Sequence, residues 1–283
     1  MNIINTAAYI PFLFNENHFD LDKWKTYMDT QIPGAKELCL HDMEECVGVG
    51  YSWRDDFLPV LNLVAADRLK FEKTVGTFQA ITDGIDARIV EVFNKTIDAD
   101  VILYIGLCNG AGWVTSVNGR TTILLGIEKI MELNWCDTDD MTGLILHELG
   151  HVYHSQYGLF KWNTDSSQDE FILQLFTEGV AMVFEQEVIG NSEYFHQDKN
   201  NWKKWCDEHV EHIKRAFYRD LNSMTRENQR YFGDWISFEG HTDVGYYLGT
   251  LFVRNLLRSD SFENVIQYDI HKIKSKYAEF IAT

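Results

Sequence analysis

Apolar residues recur along this chain with two periods, and the change between them organises it. Between residues 99 and 128 the pattern is that of strands. Val101-Ile102-Leu103-Tyr104-Ile105 is a short continuous apolar run, and Trp113-Val114-Thr115-Ser116-Val117 and Thr121-Thr122-Ile123-Leu124-Leu125 flank the pair Asn118-Gly119. Asn-Gly between two β-prone runs predicts a hairpin, because both residues accept the positive φ of a tight two-residue turn. Elsewhere the spacing is helical. Met141, Leu144, Ile145, Leu146, Leu149 and Val152 follow the acidic cluster Asp137-Thr138-Asp139-Asp140. That cluster supplies N-cap candidates and first-turn acids, and Gly158 a stop, which predicts a helix over about 139–157.

A second helix, about 168–187, is apolar around most of its circumference and is expected to be buried. A third, about 199–222, places Trp202, Trp205, Ile213, Phe217 and Leu221 on one side, and its lysines and arginines on the solvated side. A fourth covers about 242–258, and two short helices finish the chain. The first 98 residues predict helices near 21–30, 57–73 and 85–97. The reading is α+β with helix dominant: a mostly helical region, 1–98, then a region 99–283. That second region holds a small, mainly antiparallel sheet next to the helices at 139–187. No Gly/Ser-rich linker or internal repeat interrupts it, and the only prolines are Pro11, Pro33 and Pro59.

Chemistry enters with His147-Glu148-Leu149-Gly150-His151. On a helix, residues four apart project from one face, about 40° apart in rotation. Two imidazoles so placed can grip one divalent metal, with Glu148 beside them to hold and deprotonate a water. Gly150 costs about 1 kcal/mol relative to Ala in a helix, so a close approach by another backbone is the expected reason for it.

A catalytic zinc site takes three protein ligands and keeps one position open. The extended motif that adds a third His after a Gly is not met, because His154 and Tyr157 occupy those positions. The alternative is a Glu from a following helix, where a buried carboxylate needs a charge partner such as zinc. Glu178 lies in the segment Thr177-Glu178-Gly179-Val180-Ala181, with Glu170 and Glu185 as competitors about two turns to either side.

The order His147-Glu148-x-x-His151, then Glu178-Gly179-Val180-Ala181, resembles the gluzincin superfamily of metallopeptidases, which carry an E-x-x-A-type signature on the second helix. The likeness covers roughly residues 99–258 at the level of motif order and extends to uncharacterised predicted zinc-dependent proteases. It implies a zincin-like fold, Zn²⁺ held by His147, His151 and Glu178, Glu148 as general base, and a peptide or protein substrate. Many gluzincins carry a Tyr-x-x-Gly helix whose phenol stabilises the oxyanion. Tyr246 of Tyr246-Tyr247-Leu248-Gly249 matches it, with Tyr247 its neighbour and His241 a second candidate donor. The likeness also implies that the last strand before the metal helix borders the cleft, so Leu124, Leu125 and Gly126 become substrate-backbone contacts. Two departures are plain. No G-x-M-E-N-like segment is present, which disfavours a monomeric aminopeptidase of that kind, and Met182 stands where some relatives carry an Asp. The competing classes are a non-catalytic zinc-binding regulatory protein and a zinc hydrolase of a non-peptide amide or ester.

Composition narrows the partners. Forty-three acids against 25 Lys and Arg, a formal net charge of −18, argue against a nucleic-acid phosphate backbone and against anionic membrane surfaces. Five scattered cysteines without C-x-x-C spacing read as reduced thiols. No stretch has the length of a membrane span, and the apolar start Ala7–Phe14 lacks a basic flank. The expected location is therefore cytoplasmic. Oligomeric state is not written in the sequence.

Overall fold

The computed structural model describes residues 1–282 other than 163 and 165. The chain forms two compact units, Met1–Glu148 and Leu149–Thr283. It is helix-rich with a small sheet, as the α+β reading expects.

The first unit opens with β1 (Asn2–Asn5), a 3-10 segment (Ala7–Leu13) and a ribbon of β2 (Phe14–Asn15) and β3 (His18–Phe19). Helices α1 (Leu21–Gln31) and α2 (Lys36–Gly48) follow. A π-helical turn (Trp53–Phe57) leads into α3 (Leu58–Ala66), α4 (Arg68–Thr82) and α5 (Ile85–Phe93). The sheet strands β4 (Asp100–Tyr104), β5 (Gly112–Val117) and β6 (Arg120–Gly126) come next, and α6 (Ile127–Glu132) continues directly from β6. The boundary between the units falls at Glu148, within the 20-residue α7 (Thr138–Tyr157). The second unit contains α8 (Ser167–Ile189), α9 (Trp202–Asp220), α10 (Val244–Leu256), α11 (Phe262–Val265) and α12 (Ile270–Ala282).

The main sheet has the order β1-β4-β6-β5. β1 runs parallel to β4 with Ile3 opposite Val101, and β4 runs parallel to β6 with Ile102 opposite Leu124. Only β5 is antiparallel, with Trp113 opposite Leu124. The sheet is therefore mixed and mostly parallel, which corrects the expected mainly antiparallel one. The local hairpin is as expected: Asn118 (φ 51°) and Gly119 (φ 79°) join β5 to β6. The parallel pairings come from long crossovers that local pattern does not reveal. They also bring the chain's first residues into the sheet of the first unit.

Three helix expectations change for local reasons. The segment 57–73 is two helices, because the Asp67 side chain accepts from the Lys70 N–H and starts α4 afresh. Helix α5 stops at Phe93, where Asn94 turns left-handed at φ 51°. Helix α2 escaped notice because Cys39 is its only buried residue, leaving almost no apolar stripe to read.

The core of the first unit packs around Trp24, whose indole N–H donates to the Ile105 carbonyl at 2.9 Å, and around the fully buried Leu103, Ile123 and Leu125. In the second unit Phe176 of α8 meets Phe252 of α10 edge-on at 6.3 Å, and Phe252 lies 5.3 Å from Phe280 of α12. Among the described residues no helix is long and apolar enough to cross a membrane.

Candidate metal centre

Two helices supply the donors. Helix α7 starts where the Met141 N–H reaches the Asp137 carbonyl, with Asp139 and Asp140 in its first turn. Acids there suit the positive end of the helix dipole. Its apolar residues Ile145, Leu146, Leu149 and Val152 are fully buried, which fixes its rotation and hence the direction of its histidines. Helix α8 is capped by Ser166, whose hydroxyl accepts from the Asp169 N–H, and ends at Gly190 with φ 79°. Its buried residues surround the whole axis, as the apolar pattern predicted. Gly150 of α7 lies against α8. A methyl group there would stand 2.8 Å from the Ala181 Cα and 3.0 Å from its carbonyl oxygen, too close for any side chain. The expected close backbone approach is therefore present.

His147, His151 and Glu178 each place one ligand atom within 4.8 Å of the others, a group able to hold a metal ion. His151 Nε2 lies 3.2 Å from Glu178 Oε2. Ligands about 2.0–2.1 Å from a tetrahedral zinc stand about 3.4 Å apart, so this spacing fits a shared ion. The donor set, two imidazole nitrogens and one carboxylate oxygen, fits as well. His147 is 4% exposed, whereas the His151 and Glu178 side chains each keep 15% of their surface open to solvent.

The competitors lie elsewhere. Glu185 is fully buried, with both carboxylate oxygens 3.0 Å from His196 Nδ1. Glu170 is exposed at the start of α8 and accepts from the Thr164 hydroxyl at 3.5 Å. His154, one turn beyond His151, is absent from the metal group. Its ring is ringed edge-on by Phe160, Trp162 and Phe176 at 5.1–5.8 Å between centroids. Burial there, with His151 nearby, pulls its pKa down to about 3 and keeps it neutral.

Glu148, 8% exposed, lies against Gly112, the first residue of β5. A methyl group at Gly112 would meet the Glu148 Cγ at 2.6 Å and Cδ at 2.7 Å. The carboxyl group therefore rests on bare backbone. Sequence reasoning missed this contact. The signal was the glycine-dense run Gly106-Leu107-Cys108-Asn109-Gly110-Ala111-Gly112, which leads into β5.

Leu124, Leu125 and Gly126, the expected substrate-backbone contacts, are located by the order of the sheet. They lie in β6, an interior strand paired with β4 on one side and β5 on the other, and Leu124 and Leu125 are fully buried. Their main-chain groups are already used by the sheet. The edge strands are β1 and β5, and Gly112–Thr115 of β5 are half-buried.

The two tyrosines of α10 are separated by their contacts. The Tyr247 hydroxyl donates to Asp207 at 2.8 Å, and its ring packs on Phe195 and Trp202. Tyr246 is half-buried and meets the Phe232 ring edge-on at 5.8 Å. His241 pairs through its backbone with Phe238, and its ring stacks on Trp205 at 3.9 Å. Trp205 is stacked on its other neighbour, His209, at 4.5 Å. The structure thus gathers His147, His151 and Glu178 into one group and gives Tyr246 and His241 aromatic neighbours of their own. All five cysteines are free thiols.

No protein-family model, curated protein or solved structure matches this chain.

Proposed function

We propose that the chain is a zinc-dependent peptidase of the gluzincin type. The observation that carries this reading is the convergence of Glu178 on the two histidines of one helical turn, with Glu148 the next residue along. Among the described residues no fourth His, Cys, Asp or Glu joins the group. A structural zinc site is usually closed by four protein ligands, whereas a catalytic one keeps a vertex open.

His147, His151 and Glu178 would hold the ion. Zinc, when bound, supplies Lewis acidity, polarising a carbonyl and making water a stronger acid. Glu148 accepts a proton from the attacking water and returns it to the leaving amine. A carboxyl group held against the Gly112 backbone is fixed in place for that transfer. Tyr246, and as a second candidate His241, supplies a hydrogen-bond donor to the developing oxyanion. Tyr247 is less suited, since its hydroxyl already serves Asp207. An extended peptide is the substrate that best fits the open edge of β5, where main-chain hydrogen bonds add a strand. This moves the backbone contacts from Leu124–Gly126 to Gly112–Thr115.

The test is a peptide-library hydrolysis assay on the zinc-loaded chain, with Glu148→Gln alongside. The variant is expected to bind zinc as the wild type does and to lose about 10²–10⁴-fold in kcat, the range typical of a missing general base. Undiminished hydrolysis by Glu148→Gln would refute its role, and a wild-type chain that cleaves no peptide when loaded would refute the peptidase reading.

A further inference from the structure

Glu128 is a carboxyl group with no surface at all, placed in the first turn of α6 and used by none of the chemistry above. Burying a carboxyl group is costly unless its oxygens are satisfied. Here they are satisfied by a loop. The Gly106 N–H donates to Oε1 at 2.9 Å and to Oε2 at 3.0 Å, and the Cys108 N–H donates to Oε1 at 3.2 Å. At the second donor the loop adopts a conformation that most residues avoid, since Cys108 has φ 60°. Loop N–H groups turned inward, here those of Gly106 and Cys108, form a concave nest of the kind that binds anions. In this chain the nest is filled by the carboxyl group of Glu128.

The same loop is pinned at two further points. Asn109 accepts from the Leu107 N–H at 2.9 Å and donates to the Cys39 carbonyl at 3.0 Å and to Asp42 at 2.8 Å, tying the loop to α2. Beyond it, the Gly126 N–H donates to the Ala111 carbonyl at 3.0 Å, and the Gly110 carbonyl leaves no room for a side chain on Gly126. The next residue is Gly112, whose backbone touches the Glu148 side chain. Five residues thus separate the anchored Gly106 from Gly112, on which Glu148 rests, and every one of these contacts lies within the first unit.

We propose that Glu128 is a positioning residue: by filling the nest of the 106–112 loop it holds Gly112 against Glu148 and fixes the orientation of that carboxyl group. The catalytic consequence rests on the peptidase reading; the structural claim does not. Burial raises the Glu128 pKa to about 7 even though backbone N–H groups pull it down, so the interaction is sustained against a real desolvation cost.

The experiment follows the side-chain carboxyl ¹³C resonance of Glu148 in the full-length chain, assigned by its loss in Glu148→Gln. The resonance of Glu185, paired with His196, serves as an internal control. Glu128→Ala is expected to move or broaden the Glu148 signal, leave that of Glu185 in place, and leave zinc stoichiometry unchanged. Glu128→Gln, which keeps one acceptor oxygen, is expected to restore the signal part of the way. Asn109→Ala, which loosens the same loop from its other side, is expected to move it again, and it decides the matter if Glu128→Ala does not fold. In kinetics, the folded variants are expected to lose about tenfold to a hundredfold in kcat with KM little changed, as misplacement of a reacting group does. A Glu148 signal that stays put in every folded loop variant overturns the proposal. A signal that moves in a chain that hydrolyses nothing upholds the positioning and removes only the peptidase reading.

Discussion

His151 Nε2 stands 3.2 Å from Glu178 Oε2, although 27 residues and a change of helix separate them in the chain. Nothing in local sequence requires that meeting. It arises because the buried faces of α7 and α8 set the rotation of both helices, and it converts a two-histidine motif into a three-donor site.

The first prediction concerns that pair. Glu178→Gln keeps the shape of the side chain but removes its charge and replaces one oxygen by an amide nitrogen, which carries no lone pair for a metal. Zinc affinity, measured by competition with a chromophoric chelator, is expected to fall by more than the roughly 10–100-fold that loss of an outer-shell partner costs. An unchanged affinity would mean that the carboxylate pairs with His151 as an ordinary ion pair and does not ligate.

Packing under the site gives a second expectation. Gly150→Ala places a methyl group 2.8 Å from the Ala181 Cα, and neither partner is a flexible side-chain end that can swing away. The gain of about 1 kcal/mol in helix propensity is outweighed by overpacking, which typically costs about 1–3 kcal/mol. Urea denaturation should show a lower midpoint. An equal or higher midpoint would show that α7 and α8 are not held this closely.

Glu128 makes stability depend on pH in a particular direction. Its folded-state pKa is raised from the ordinary carboxylate value to about 7 by burial. Between pH 4.5 and 7 the folded chain therefore holds a proton that the unfolded chain has released, and stability falls as pH rises through that window. Glu128→Gln lacks this dependence. The stability of the wild type relative to Glu128→Gln is expected to decline by an amount on the order of 3 kcal/mol from pH 4.5 to pH 8. A difference that stays flat across the window would show that Glu128 ionises normally.

Much of the site was legible because helix geometry converts spacing into position. His147, Glu148 and His151 fall on one turn whatever else the chain does, and the acids at 137–140 marked where that turn begins. Glu178 was legible only through the order of motifs. A carboxylate on an apolar helix has several equivalent neighbours, and only packing showed Glu185 spoken for by His196. The Asn118-Gly119 hairpin was written in two residues, whereas β1 joins β4 across nearly a hundred residues and leaves no local trace. That Leu124, Leu125 and Gly126 lie in an interior strand was not legible for the same reason. Chain order gives the last strand before the helix, but sheet order decides which strand is the edge. Glu128 and Gly112 were out of reach because a loop with positive φ at Cys108 brings them to their partners.

The most direct measurement is zinc K-edge X-ray absorption on the purified, zinc-loaded chain, with metal content determined on the same sample. One zinc per chain is expected, bound by two imidazoles and one carboxylate oxygen at about 2.0–2.1 Å, with one further light atom from solvent. A chain that retains no stoichiometric zinc, or a zinc shell completed by a third imidazole such as that of His154 or by a thiolate at about 2.3 Å, would contradict the open three-ligand centre.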